Sequence, residues 1–225
     1  MIRLENVSKR FAVGKGEGAR TVLDRVSITF PPRRSVALLG RNGAGKSTLL
    51  DIIAGTTRPG SGRVITSGRI SYPVGFQGSF HPDLTGAQNA RFVARIYGVD
   101  TDQLVQFVED FAELGSHFRM PFRIYSAGMK ARLSFGVSMG IPFDTYLVDE
   151  VTSVGDGAFR QKSIALFEDR RRRAGAIVVS HSEPMVRRLC DAAAVLEDGQ
   201  LTYYDDLDAA LTRHAINLRR APYPA

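Results

Sequence analysis

A single cysteine, Cys190, stands among 225 residues, which excludes an intramolecular disulfide framework and fits a reducing compartment. No apolar run approaches the roughly 18 residues that a membrane helix needs. The longest, such as Ser35–Leu39 and Ala192–Leu196, are strand-sized. The opening Met1–Val7 alternates like a strand and lacks the apolar stretch of a signal peptide. There is no internal repeat and no low-complexity segment. A hydrophobic fraction of 44% with 24% charged residues excludes wholesale disorder. At this size a folded chain buries roughly 70–75% of its unfolded surface, enough for a core without staples. The expectation is a soluble, cytoplasmic-type chain forming one large domain, or one domain with a subdomain.

Charge is not balanced: 30 Lys+Arg face 23 Asp+Glu, a formal net charge of +7. The densest cluster, Arg170–Arg173, is followed by Ala174-Gly175 and the apolar Ala176–Val179. Cations in a last helical turn followed by glycine fit a helix end. The other reading is an anionic partner, membrane headgroups included. Net charge alone argues solubility and non-specific attraction, not function.

Strand-like runs recur at Ile2–Val7, Val26–Phe30, Ser35–Leu39, Tyr146–Val148, Ala176–Val179, Ala192–Leu196 and Leu201–Tyr204. Helical stretches lie between several of them: Lys46–Ala54 closed by Gly55, Ala158–Arg173, and Ser182–Cys190 with Ser182 as cap and Pro184 in the first turn. Strands alternating with helices predict an α/β architecture with a mainly parallel sheet. Asp198-Gly199 predicts a tight hairpin near the end. From about Leu84 to Met139 the pattern is helical, an insertion best read as a subdomain. There Leu104, Phe107, Val108 and Phe111 follow the spacing of one buried helix face, with Thr101 as its cap. Pro/Gly turns cluster at Arg58–Gly62 and Tyr72–Pro82, and the final residues read as an untethered tail.

The run Gly40-Arg41-Asn42-Gly43-Ala44-Gly45-Lys46-Ser47, followed by Thr48, fits G-x-x-x-x-G-K-[ST]. A strand runs into it and a helix runs out. Glycines let backbone N–H groups close around phosphate oxygens without a Cβ clash, and the helix start adds positive potential. Lys46 would reach the β/γ-phosphates and Ser47 would supply a hydroxyl to Mg²⁺. A nucleoside triphosphate is the ligand this predicts. Asp149-Glu150, directly after an apolar run, supplies the acidic groups: Asp149 to hold Mg²⁺ through water, Glu150 to polarise the attacking water. In isolation such a pair reads first as a solvated loop; beside the phosphate loop it reads as the acidic pair of the site.

With those residues in place the sequence resembles an ABC transporter nucleotide-binding subunit over essentially its whole length. Tyr125-Ser126-Ala127-Gly128-Met129 resembles a variant of the LSGGQ signature. The run Asp149–Asp156 resembles D-E-x-T-S-x-x-D, which puts the D-loop at Ser153–Asp156. His181 matches the switch histidine, and Phe11 the aromatic that stacks on adenine. Outside that resemblance, His181 reads as an ordinary surface or core histidine and Phe11 as a core residue at a strand end. The resemblance implies an N-terminal antiparallel β portion beside the ATPase sheet and a helical subdomain at about 84–139. It also implies a homodimer with ATP at the interface, in which Ser126, Ala127, Gly128 and Met129 meet the γ-phosphate bound by the other copy. A separate polytopic membrane subunit is implied as partner, with no specific nucleic acid, and a place on the cytoplasmic face of the bacterial inner membrane.

More narrowly, Ile70–Gly75, Phe92–Tyr97, Tyr125–Leu133 and Val154–Asp156 resemble the subunits that export capsular polysaccharide. O-antigen and teichoic-acid exporters share Phe80–Gly86. Many O-antigen subunits add a C-terminal carbohydrate-binding domain, and the short stretch after Leu201–Tyr204 favours the capsule type. Two departures stand out. The signature has Tyr125, Ala127 and Met129 where the common motif has Leu, Gly and Gln. The Q-loop glutamine aligns with Gly75; Gln77, two residues on, either takes over its contact with Mg²⁺ and water or is an ordinary loop residue. A soluble ABC ATPase acting on ribosomes or DNA is disfavoured, since such chains carry paired cassettes or a long coiled coil. A binder without turnover is disfavoured by Glu150 and His181.

Overall fold

In the computed structural model the protein is described over residues 1–12, 18–76, 78, 80–149 and 157–219. The chain runs through β1 (Ile2–Ala12), β2 (Ala19–Phe30), β3 (Ser35–Leu39), α1 (Lys46–Ile53), β4 (Ser61–Thr66) and β5 (Ile70–Pro73). Next come α2 (Gly86–Tyr97), α3 (Thr101–Ala112), two short 3₁₀ turns and α4 (Ala127–Gly140). Then follow β6 (Thr145–Asp149), α5 (Gly157–Arg171), β7 (Gly175–Val179), α6 (Glu183–Leu189), β8 (Ala192–Glu197), β9 (Gln200–Tyr204) and α7 (Leu207–Arg219). Two compact units result: Met1–Ile70 with Asp144–Glu150 and Arg171–Ala225, and Ser71–Phe143 with Val151–Arg170.

In the first unit the larger sheet has the order β6-β7-β3-β8-β9. β6, β7, β3 and β8 are parallel, and β9 returns antiparallel to β8. All five residues of β3 and of β7 are buried, which is why these strands read as unbroken apolar runs and not as alternation. The return into β9 is the expected hairpin: Asp198 and Gly199 both have positive φ, 52° and 76°, as a two-residue primed turn requires.

A second sheet, β2-β1-β4, is antiparallel. β4 begins inside the expected Arg58–Gly62 turn cluster, and the sequence predicts no strand over Ser61–Thr66. It is mostly exposed at the sheet edge, so no alternation marks it, and its pairing with β1 defines it. Gly62 (φ 79°) makes that pairing possible: a Cβ there would lie 2.3 Å from the Asn6 carbonyl oxygen. Ile2, Leu4 and Val7 of β1 join Phe30, Leu38, Leu49, Leu147, Ile177 and Leu196 in one buried core. That core joins the antiparallel sheet to the strand that feeds the phosphate loop.

The second unit is mostly helical. Thr85 and Gln88 form a reciprocal capping box at the start of α2. α3 is capped by Asp100, whose carboxylate accepts from the Gln103 N–H at 2.8 Å; Thr101, the expected cap, is the first helical residue. Asp is the stronger cap and its side chain reaches the same donor. Leu104, Val108 and Phe111 are buried as their spacing predicts. Phe111 stacks on Phe135 at 5.7 Å and meets Phe159 edge-on at 5.1 Å. α3 and α4 pack closely at Gly140, where a Cβ would meet Leu104 at 2.3 Å.

The arginine run is partly tied down. Arg170 Nε donates to the Met139 carbonyl at 2.8 Å, and Arg171 Nη2 donates to the Arg188 carbonyl at 3.2 Å. Gly175 begins β7 and is not the helix stop its position suggests. Among the described residues, no helix is long and apolar enough to cross a membrane.

One buried side chain organises residues 81–85. Asn89 is 0% exposed. Its Oδ1 accepts from the His81 N–H at 2.8 Å, and its Nδ2 donates to the carbonyls of His81, Leu84 and Thr85 at 3.1, 3.2 and 3.1 Å. Replacing it by alanine strands several buried backbone groups. Asn89→Ala is therefore expected to cost about 2–4 kcal/mol of unfolding free energy, read from urea denaturation; a loss below about 0.5 kcal/mol would refute this account.

Candidate functional site

The phosphate loop leaves the carboxyl end of β3, where parallel α/β sheets characteristically bind ligands. Its glycines are required by close approach. A Cβ on Gly40 would sit 2.7 Å from the Leu196 carbonyl oxygen of β8, and one on Gly45 would sit 2.0 Å from Val22 Cγ1 of β2. Gly43 and Gly45 have φ of 76° and 108°, a left-handed conformation in which glycine is least strained. Gly45 is the N-cap of α1 and offers no side-chain cap, so the first N–H groups of α1 face the loop.

Lys46 is 9% exposed. Its ammonium donates to the carbonyls of Gly40 at 2.8 Å and Arg41 at 3.0 Å, which fixes a cation over the cradle. Ser47 Oγ donates to Asp149 Oδ2 at 2.9 Å across 102 residues of sequence. A hydroxyl and a carboxylate side by side at a phosphate loop are the hard oxygen donors that Mg²⁺ takes together with substrate phosphates. Among the described residues no group of three or more His, Cys, Asp or Glu could hold a metal. An all-protein cage is thus absent there, and the donor set fits a cation shared with phosphate.

Phe11, the penultimate residue of β1, is 44% exposed, so its ring is not a core residue. Lys9 Nζ lies 5.2 Å from the ring centroid. His181 follows β7 by two residues and is exposed; the Ser182 N–H donates to Ser180 Oγ at 3.1 Å beside it. Asn42 is exposed, and Ala44 and Thr48 are half-buried around the loop and first turn of α1. Gln77, Glu150, Asp156 and the rest of the D-loop lie outside the described residues.

The signature belongs to the second unit. Ser126 caps α4, its Oγ accepting from the Met129 N–H at 3.2 Å, with Ala127 the first helical residue. A Cβ on Gly128 would meet nothing nearer than Ser126 Oγ at 4.0 Å, so this helix start is open to an approaching anion. The tyrosine has its own explanation. Tyr125 is buried at 4% exposure and its hydroxyl donates to the His117 carbonyl at 2.6 Å. Burial, opposed by a backbone hydrogen bond at Gly86, raises its pKa, so it is a neutral anchor at the head of the signature.

Sequence reasoning missed the contribution of α7 and of Arg20. Arg41 Nη1 donates to the Asn217 carbonyl at 3.5 Å, and Arg213 pairs with Glu197 at 3.4 Å. His214 has its pKa lowered by burial first and by the Lys46 charge second; Glu197 opposes this and His181 adds to it. Arg20 Nη2 donates to the Gly43 carbonyl at 2.7 Å. None of these leaves a local pattern, because each joins segments far apart in sequence.

The arrangement defines a nucleotide-binding α/β ATPase site, and the sequence model of the ABC transporter family matches residues 23–153. The chain belongs to the ABC transporter family and is an ABC-type ATPase. It is 44% identical to the polysialic acid transport ATP-binding protein KpsT of Escherichia coli, over 97% of this chain and 100% of that one. It is 45% identical to the capsule polysaccharide export ATP-binding protein CtrD of Neisseria meningitidis serogroup B, over 93% and 96%. Its fold is similar to the dimeric post-hydrolysis structure of the ATP-binding cassette MJ0796 bound to ADP and Pi. That likeness has a TM-score of 0.75 at 22% identity and covers 89% of this chain and 96% of that one.

The glycine contacts make a sharp prediction. Gly45→Ala combines a 2.0 Å clash with Val22 and a φ of 108°, so it should lower nucleotide affinity at least about tenfold and stability by about 1–3 kcal/mol. A fluorescent-nucleotide titration returning wild-type affinity would overturn the close-approach argument.

Proposed function

We propose that this chain hydrolyses ATP to power export of capsular polysaccharide across the inner membrane, through a separate membrane-spanning partner at whose cytoplasmic face it works. The observation that carries the chemistry is the Ser47–Asp149 contact at the phosphate loop. The polymer class is supported by the likeness to KpsT and CtrD. The whole chain acts as one nucleotide-binding domain, with the helical subdomain inserted at about 84–139.

The roles follow from chemistry. Phe11 stacks on adenine, and the backbone N–H groups of Gly40–Ser47, with Arg41, Asn42, Ala44 and Thr48 shaping the loop, hold the phosphates. Lys46 neutralises charge on the β- and γ-phosphates. Ser47, Asp149 and Gln77 would hold Mg²⁺, which when bound offsets charge developing on the phosphate oxygens. Glu150 orients and polarises the attacking water, and His181 hydrogen-bonds to the γ-phosphate or that water. Two copies close on two ATP molecules. Ser126, Ala127, Gly128 and Met129 then reach the partner's nucleotide from the start of α4, and Asp156 lines the interface. ATP thereby joins the subunits, and hydrolysis releases them.

Partner docking is assigned to the second unit. Phe92 and Ile96 of α2, the helix whose Asn89 secures the 81–85 segment, are 49% and 60% exposed. Large apolar side chains left outward on a charged helix fit a protein surface. Ile96→Glu is expected to abolish export while the isolated subunit keeps its ATPase rate; a matching fall in ATPase would refute the docking role. Glu150→Gln should retain ATP binding, lose at least about a hundredfold in turnover and trap an ATP-dependent dimer on a sizing column. Undiminished turnover would remove Glu150 as the base. Affinity purification from detergent-solubilised membranes should return one multi-span protein at near-equal stoichiometry; return of ribosomal or DNA-bound proteins alone would overturn the export reading.

A further inference from the structure

Phe11 and Arg20 are direct partners across the β1–β2 pair, so their side chains rise from the same face of that ribbon. Lys9, two residues from Phe11, shares the face and is tied down, donating to the Arg58 carbonyl at 2.8 Å. Arg20 instead reaches the phosphate loop, where Nη2 donates to the Gly43 carbonyl at 2.7 Å. A Cβ on Gly43 would sit 3.4 Å from Nη2 and 4.0 Å from Nη1, so the guanidinium lies against the loop at Gly43. Of its five N–H donors that carbonyl takes one, and among the described residues no acidic side chain pairs with it. The residue is exposed, which leaves the remaining donors open to a ligand.

We propose that Arg20 is a nucleotide-binding residue that engages the α-phosphate, between the base stacked on Phe11 and the phosphates in the loop. The inference rests on Phe11 as the base platform. A nucleotide stretched from Phe11 to the loop passes Arg20, because the two residues share a register position and the guanidinium ends at Gly43. The planar fork suits two phosphate oxygens, where lysine would offer a point charge.

The test uses the full chain and its Arg20→Ala, Arg20→Lys and Phe11→Ala variants, titrated with AMP, ADP, ATP and inorganic pyrophosphate. Arg20→Ala should weaken AMP, ADP and ATP alike by about tenfold, leave pyrophosphate within about twofold, and raise KM for ATP with kcat nearly unchanged. Arg20→Lys should recover part of the loss. Equal loss of pyrophosphate would show that Arg20 only braces the loop and would overturn the proposal, as would wild-type nucleotide affinity in Arg20→Ala. Unchanged binding by Phe11→Ala would refute the base platform alone, since the contrast between AMP and pyrophosphate judges Arg20 separately.

Discussion

The close approach of backbone at Gly40 and Gly45 is the constraint on which the nucleotide site depends. Gly40 lies against the Leu196 carbonyl and Gly45 against Val22. The loop is therefore pressed between β8 of the parallel sheet and β2 of the antiparallel one, and neither contact leaves room for a side chain. That pressure is maintained from below by the shared core of Ile2, Leu4, Leu38, Leu49, Leu147 and Leu196. A loop so held needs little reorganisation when anionic oxygens arrive, and preorganised donors stabilise charge better than donors that must be recruited. The same packing sets the Ser47 hydroxyl against the Asp149 carboxylate, since β6 reaches β3 through β7 in a fixed parallel register.

The second unit solves a different problem with the same means. The helix start at Ser126–Gly128 is open, and the residues before it are anchored elsewhere. Tyr125 does this by burying its ring and donating to His117, and the Phe122 ring lies 5.5 Å away. Leucine at that place would supply apolar area without the hydrogen bond. The variant signature is thus a coherent alternative: Ser126 still caps α4 and Gly128 still leaves the helix start open. Asn89 holds residues 81–85 with a comparable economy of side chains, using one buried amide for four backbone groups.

What the sequence made legible is what local chemistry encodes. The buried parallel strands announce themselves as short apolar runs, the phosphate loop by its glycines and lysine, and the hairpin by Asp198-Gly199. β4 escaped because an exposed edge strand has no hydrophobic period, and its existence depends on pairing with β1. The α3 cap was misplaced by one residue because Asp100 and Thr101 are both capping types; only geometry shows which oxygen meets the Gln103 N–H. The site followed the same rule. Lys46, Ser47 and Asp149 were readable from motif context, and the structure brings Ser47 against Asp149 and Lys46 over the loop carbonyls. Arg20, Asn217 and His214 were not, because arginine on a strand or histidine on a surface helix carries no periodic signal.

Those long-range contacts share an electrostatic logic. Lys46, Arg41 and Arg20 gather positive charge at the carboxyl edge of β3 and its neighbours. Each brings a cost before any anion is bound, because like charges near one another raise the energy of the folded chain. The structure offsets that cost with oxygens already present: Lys46 takes two loop carbonyls, Arg20 takes the Gly43 carbonyl, and Arg41 takes the end of α7. His214 reflects the same field: burial first and the Lys46 charge second lower its proton affinity. Phosphate oxygens entering the loop meet cations already directed by backbone acceptors, and much of the ordering cost of binding has been met during folding.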